Sequence, residues 1–126
     1  MTFTKLHELI YFQYNRFPGK KMFNQKVLGR WEERSTQQFI TQMNRLSTGL
    51  IKMDLPKGSK IGIFTSHGSA DWFIIDLACL QVGLITVPIN PGYQEDELQY
   101  ILNEADLQLV FTNEDFLADR LINAGF

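Results

Sequence analysis

From Lys60 onward the sequence alternates short apolar runs with helix-patterned stretches, and this alternation limits the possible folds more than any other feature. Ile61 to Thr65, Ile85 to Ile89 and Leu109 to Thr112 read as strands, with helices over Ala70 to Val82 and Glu95 to Ala105 between them. Strands separated by helices do not pair as hairpins; they return to one sheet through crossovers, which makes that sheet parallel. Gly83 stands where a helix terminus needs positive φ, and Pro88 is expected to end its strand because it lacks a backbone donor. The expected class is α/β, a partial doubly wound parallel sheet with flanking helices. Its strand order is left open.

The first half reads differently. Leu6, Leu9, Ile10, Tyr14 and Phe17 recur at helical spacing until Pro18-Gly19 stops them. Met22 to Gln25 and Arg30 to Glu33 flank a turn over Lys26 to Gly29, a small β-hairpin. Ser35 and Gln38 have capping-box form ahead of Phe39, Met43, Leu46 and Leu50, which predicts a helix from Thr36 to Lys52. Gly49 lies inside that helix, where close packing against another backbone is the expected reason for a glycine. Pro56 to Ser59 makes a turn. The expected core contains Ile63, Trp72, Ile75, Leu77, Val87, Leu98, Ile101, Leu102 and Val110.

The stretch from Ala70 to Val82 has almost no polar face, so it should be buried on more than one side. Three strands and their crossovers cover one side. The other side calls for a partner or for further sequence.

A chain of 126 residues with 44% apolar content supports one packed core. Its 12 basic against 14 acidic residues lack the cationic footprint of a nucleic-acid binder. The single Cys79 has no internal disulfide partner, which fits a reducing cytoplasm and a cytoplasmic, soluble protein. The apolar stretch around Trp72 to Leu80 is broken by Asp76 and is well short of the roughly 20 residues of a transmembrane segment.

No stretch of the chain completes a catalytic or ligand-binding motif. The loop Ser66-His67-Gly68-Ser69 follows a strand, where α/β proteins place ligands, yet it lacks the spaced glycines of a dinucleotide fingerprint. Met53 stands where a Walker loop through Gly58-Ser59-Lys60 needs glycine, and His67 and Asp71 stand where a nucleophile elbow at Ser69 needs glycines. Ser66, His67 and Asp71 contain the residue types of a triad, but nothing in their spacing aims them at one another, and Ser69 is expected to cap the next helix. Glu95, Asp96 and Glu97 open a helix and complement its dipole. His7 belongs to a surface helix, Lys20, Lys21 and Lys26 to a small basic face, and Cys79 to the core. No catalytic, cofactor-binding or metal-binding residue is assigned.

Several stretches, taken in order, resemble the opening segment of the acyl-CoA synthetases within the adenylate-forming enzyme superfamily. Ser35 to Phe39 resembles that family's capped helix start, Leu46 to Ile51 its Leu-Ala-x-Gly-Leu segment, and Pro56 to Phe64 its turn and strand. Asp71-Trp72 stands where Glu-Trp is common, and the run ACLQVGLITVPINP from Ala78 to Pro91, with Tyr93 and Glu95 to Leu102, is the most telling. The likeness runs from about Leu6 to Thr112. It implies residues 1–126 as the N-terminal portion of an AMP-binding domain, truncated before the phosphate-binding loop and inactive alone. The parent would use ATP, magnesium and coenzyme A to turn a carboxylic acid, a fatty acid by family, into an acyl adenylate and then a thioester. The remainder of that parent enzyme, or a homodimer partner, would cover helix 70–82. A non-enzymatic binding or oligomerisation module on the same scaffold is the alternative; a free-standing nucleotide-binding domain is the weakest reading because the glycine-rich phosphate turn is absent.

Overall fold

A computed structural model describes residues 2–66 and 68–126. The expectations placed on His67 therefore lie outside the described residues. A 3-10 turn over Leu6–Glu8 leads into α1 (Leu9–Arg16), followed by β1 (Phe23–Val27), β2 (Arg30–Arg34) and α2 (Thr36–Lys52). Then come β3 (Lys60–Phe64), α3 (Ala70–Gln81), β4 (Ile85–Ile89), α4 (Glu95–Ala105), β5 (Leu107–Thr112) and α5 (Asp115–Asn123). The chain forms two compact units, Met1–Leu55 with Ser69–Gly83, and Pro56–Gly68 with Leu84–Phe126.

In the first unit the capping box forms as its residues require. The Ser35 N–H donates to Gln38 Oε1 at 2.8 Å and the Gln38 N–H to Ser35 Oγ at 3.1 Å. From there α2 buries Thr36, Phe39, Ile40, Met43, Ser47 and Leu50, spaced at three and four residues along one face. Ser47 ties α2 to α3, its hydroxyl donating to the carbonyl of the fully buried Ala78 at 3.3 Å. Gly49 does not have the role expected of it: a Cβ there would meet nothing within 4 Å. Its cost in helix propensity is therefore uncompensated, and Gly49→Ala should raise stability by about 1 kcal/mol in a urea melt.

The buried side of α3 also differs from expectation. Ala70, Ile74, Ala78 and Cys79 are buried, whereas Trp72, Ile75 and Leu77 are half-buried. A helix that is apolar all round has no contrast by which to choose a face, and packing against α2 selects the side with the small residues. Polar groups close one end of this contact. The Gln81 amide donates to Asn44 Oδ1 at 3.1 Å and to Ser47 Oγ, while the Tyr11 hydroxyl reaches Asn44 Oδ1 at 2.7 Å.

The hairpin turn narrows to two residues, Leu28 and Gly29, between the paired Val27 and Arg30. Both have positive φ, 48° and 79°, the pattern of a mirror-image turn matched to strand twist. Leucine gains nothing there, being 99% exposed. Leu28→Asn should stabilise the chain by about 1 kcal/mol, since asparagine tolerates the left-handed region; a lower melting temperature would count against this reading of the turn.

In the second unit the three strands pair in parallel, in the order β4-β3-β5. β3 is the central strand, and Ile61 to Phe64 are all buried. Pro88 does not end its strand; it lies within β4 opposite Ile63. β4 borders β3 on one side only, and such a strand tolerates a missing donor. Phe64, Ile89, Leu98, Leu102, Leu117, Leu121 and Ala124 form the core, with Ile101 and Val110 packed partly buried against it. Of the residues expected in the core, Ile63, Leu98 and Leu102 are buried, Ile101 and Val110 pack against it half-buried, and Val87 is half-buried. α5 goes beyond the sequence reading; the signal for it is Leu117, Leu121 and Ala124 at spacings of four and three. Among the described residues no helix is long and apolar enough to cross a membrane.

Candidate functional site

Parallel sheets place ligands beyond the carboxyl ends of their strands, which puts the expected site at the segments after β3 and β5. Ser66 meets Asn113 and Glu114 there. Its N–H donates to Asn113 Oδ1 at 3.0 Å and its hydroxyl to Glu114 Oε1 at 3.2 Å. The Ser66 N–H is thus already engaged, and a carboxylate is the wrong sign for a triphosphate. These residues do not fit the phosphates of ATP. Among the described residues no three metal-ligating side chains converge.

Several of the other sequence candidates have structural partners within their own units. Ser69 caps α3 by accepting from the Trp72 N–H at 3.4 Å, and Asp71 pairs with Arg34 at 3.0 Å. Lys21 pairs with Glu33 at 2.6 Å beside the hairpin. His7 lies in the 3-10 turn. Glu97 accepts from the Gln94 N–H at 2.7 Å, closing the start of α4. Burial, reinforced by the charge of Asp76, pushes the Cys79 thiol up to about 12, which leaves it without nucleophilic thiolate at neutral pH.

Sequence reasoning missed Arg120. Its Nε donates to Glu95 at 2.8 Å, Nη1 to the Pro91 carbonyl at 2.8 Å and Nη2 to the Tyr93 carbonyl, and the guanidinium lies 5.5 Å from the centre of the Phe64 ring. One side chain on α5 thereby holds the segment that follows β4. Nothing in its spacing announced this, because the acceptors are mostly backbone carbonyls.

The first unit contains an apolar groove of about 480 Å³. Phe23 stacks on Phe39 at 5.2 Å and meets Phe73 at 5.5 Å, and Phe73 meets Trp72 edge-on at 5.4 Å. Leu77 and the residues of the first helix complete its walls, with Gln13 and Asp76 its polar members. Phe73 remains 47% exposed, so α3 does keep an accessible apolar side.

A family model described as "AMP-binding enzyme" matches residues 11–124. The chain is 31% identical over 86 residues to the mitochondrial medium-chain acyl-CoA ligase ACSF2 of Rattus norvegicus, an alignment covering 68% of the chain and 14% of the rat protein. It is 24% identical to the long-chain-fatty-acid–CoA ligase FadD15 of Mycobacterium bovis over 98 residues, 78% of the chain and 16% of that protein. Among solved structures, VinN with 3-methylaspartate superposes with a TM-score of 0.80 at 18% identity, over 96% of this chain and 32% of that one. A structure described as a "putative long-chain-fatty-acid CoA ligase" from Rhodopseudomonas palustris gives 0.78 at 19% identity, over 96% and 30%. The fold is that of the N-terminal part of adenylate-forming enzymes, and the chain spans about a seventh of the length of the curated ligases it matches.

Proposed function

Because this chain belongs to the AMP-binding enzyme family, we propose that it is the N-terminal scaffold segment of an ATP-dependent acyl-CoA ligase acting on a fatty carboxylic acid. The observation that carries the reading is the 31% identity to a medium-chain acyl-CoA ligase across two thirds of the chain. In that reaction class a carboxylate displaces pyrophosphate from ATP, and the thiol of coenzyme A then displaces AMP. No step is assigned to residues of this chain, since the carboxyl edge of its sheet carries Glu114 where phosphate would need donors. The segment contributes sheet, core and surface. The remainder of the parent enzyme is the proposed partner for the accessible side of α3, and the reducing compartment suggested by the lone Cys79 is part of the proposal.

Two measurements test this. The purified chain, given ATP, magnesium and a panel of fatty acids, should release no pyrophosphate; clear turnover would refute the scaffold reading. The rat ligase with its aligned segment replaced by this chain should form medium-chain acyl-CoA. A chimaera that folds but makes no thioester would argue instead for a non-enzymatic binding or oligomerisation module.

A further inference from the structure

We propose that the tip of the β1–β2 hairpin is a lipid-surface anchor: Leu28 is the apolar wedge, Trp31 the interfacial aromatic, and Lys26 and Arg30 the cations that meet anionic headgroups. Leu28 holds a turn position at φ 48°, which asparagine or glycine would occupy at less cost, and at 99% exposure it receives no packing in return. The fold gains nothing from a leucine there. An apolar medium outside the chain would. Trp31 is also exposed, at 69%, and stands opposite Lys26 on the second rung behind the turn. That rung is about 7 Å of strand from Leu28, within the roughly 5–10 Å depth to which interfacial segments bury. Leu28 would thus lie below the headgroups and the Trp31 ring among them, the level at which tryptophan collects in membranes.

The charges complement such a surface. From Lys26 to Trp31 the chain has two cations and no acid, and neither cation has an ion pair among the described residues. Glu32 and Glu33 follow on the third and fourth rungs, and Glu33 is taken up by Lys21. A fluid anionic surface is favoured over a protein partner by shape: so exposed a turn has no concavity to receive a side chain, whereas lipid admits a wedge without a matching pocket. Attachment of this kind needs no membrane-crossing helix, and it does not depend on the ligase reading.

Co-sedimentation of the purified chain with phosphatidylcholine vesicles, with and without phosphatidylglycerol, tests the proposal. The chain should bind the mixed vesicles, less so as salt rises, and should bind the neutral ones weakly. Its tryptophan emission should shift to the blue on binding, and Trp31→Phe should abolish that shift although Trp72 remains. Leu28→Asn should weaken partitioning by about tenfold. Since the same substitution is expected to raise the melting temperature, such a loss cannot come from unfolding. Lys26→Gln and Arg30→Gln should each weaken it by about fivefold. No sedimentation with the mixed vesicles, equal binding to both kinds, or undiminished binding of Leu28→Asn would overturn the proposal. Light scattering provides a further check: a dimer that Leu28→Asn dissolves, without vesicle binding, would assign the tip to a second copy of the chain instead.

Discussion

Replacing Gly62 with valine should cost about 3 kcal/mol and lower the melting temperature by roughly 10 °C. Gly62 lies in the centre of β3, with Val87 of β4 on one side and Val110 of β5 on the other. A Cβ built there would meet Val110 Cγ2 at 2.9 Å, Leu107 Cδ1 at 3.1 Å and Val110 Cγ1 at 3.2 Å. Both neighbours crowd the same spot because the pairing of β3 with β5 slips between Lys60 and Ile61, where Leu107 is followed in register by Leu109. That irregularity leaves Gln108 unopposed and lets Leu107 share a side with Val110. Neither can retreat, since both pack against the core of Phe64, Leu98 and Leu117. Alanine, with one methyl, should cost less than valine. A Gly62→Val chain melting within 2 °C of the parent would show that β5 yields more easily than its bonding suggests.

Arg120→Met should cost about 2–4 kcal/mol, because it strands backbone carbonyls that now accept from a charged donor. The methionine keeps much of the apolar stem and so isolates the loss to the guanidinium. Lysine should recover little, since a single ammonium cannot span the acceptors at Glu95, Pro91 and Tyr93 as a planar fork does. Glu95→Gln should cost under about 1 kcal/mol, because that carboxylate is largely exposed. The ranking Met ≈ Lys, both well below Gln, is checked by urea denaturation of the three variants. If lysine restores full stability, charge and not geometry holds the segment after β4.

Much of the fold was legible in residue order. Ser35, Gln38 and the period of Phe39 and Met43 predict both ends of α2, since caps and amphipathic spacing are local properties. The same holds for α4 and for Ser69 at the start of α3. Misreadings cluster where local pattern is silent. Gly49 looked like a packing glycine and faces open space, while Ser47 makes the close contact. Pro88 looked like a strand end and is an edge-strand residue, which depends on knowing that β4 lies beside β3 alone.

The sequence by itself determined the alternation of strands and helices, the helix termini and the family, because periodicity, caps and ordered motifs need no knowledge of distant neighbours. Tertiary structure alone decided the strand order, the buried side of α3, the crowding at Gly62 and the reach of Arg120. Each depends on residues far apart in the chain meeting in space: Ala78 with Ser47, Gly62 with Val110, Arg120 with Pro91. A uniformly apolar helix has no preferred side until something packs against it, and a guanidinium bonded mostly to backbone carbonyls leaves little mark in the residues it holds.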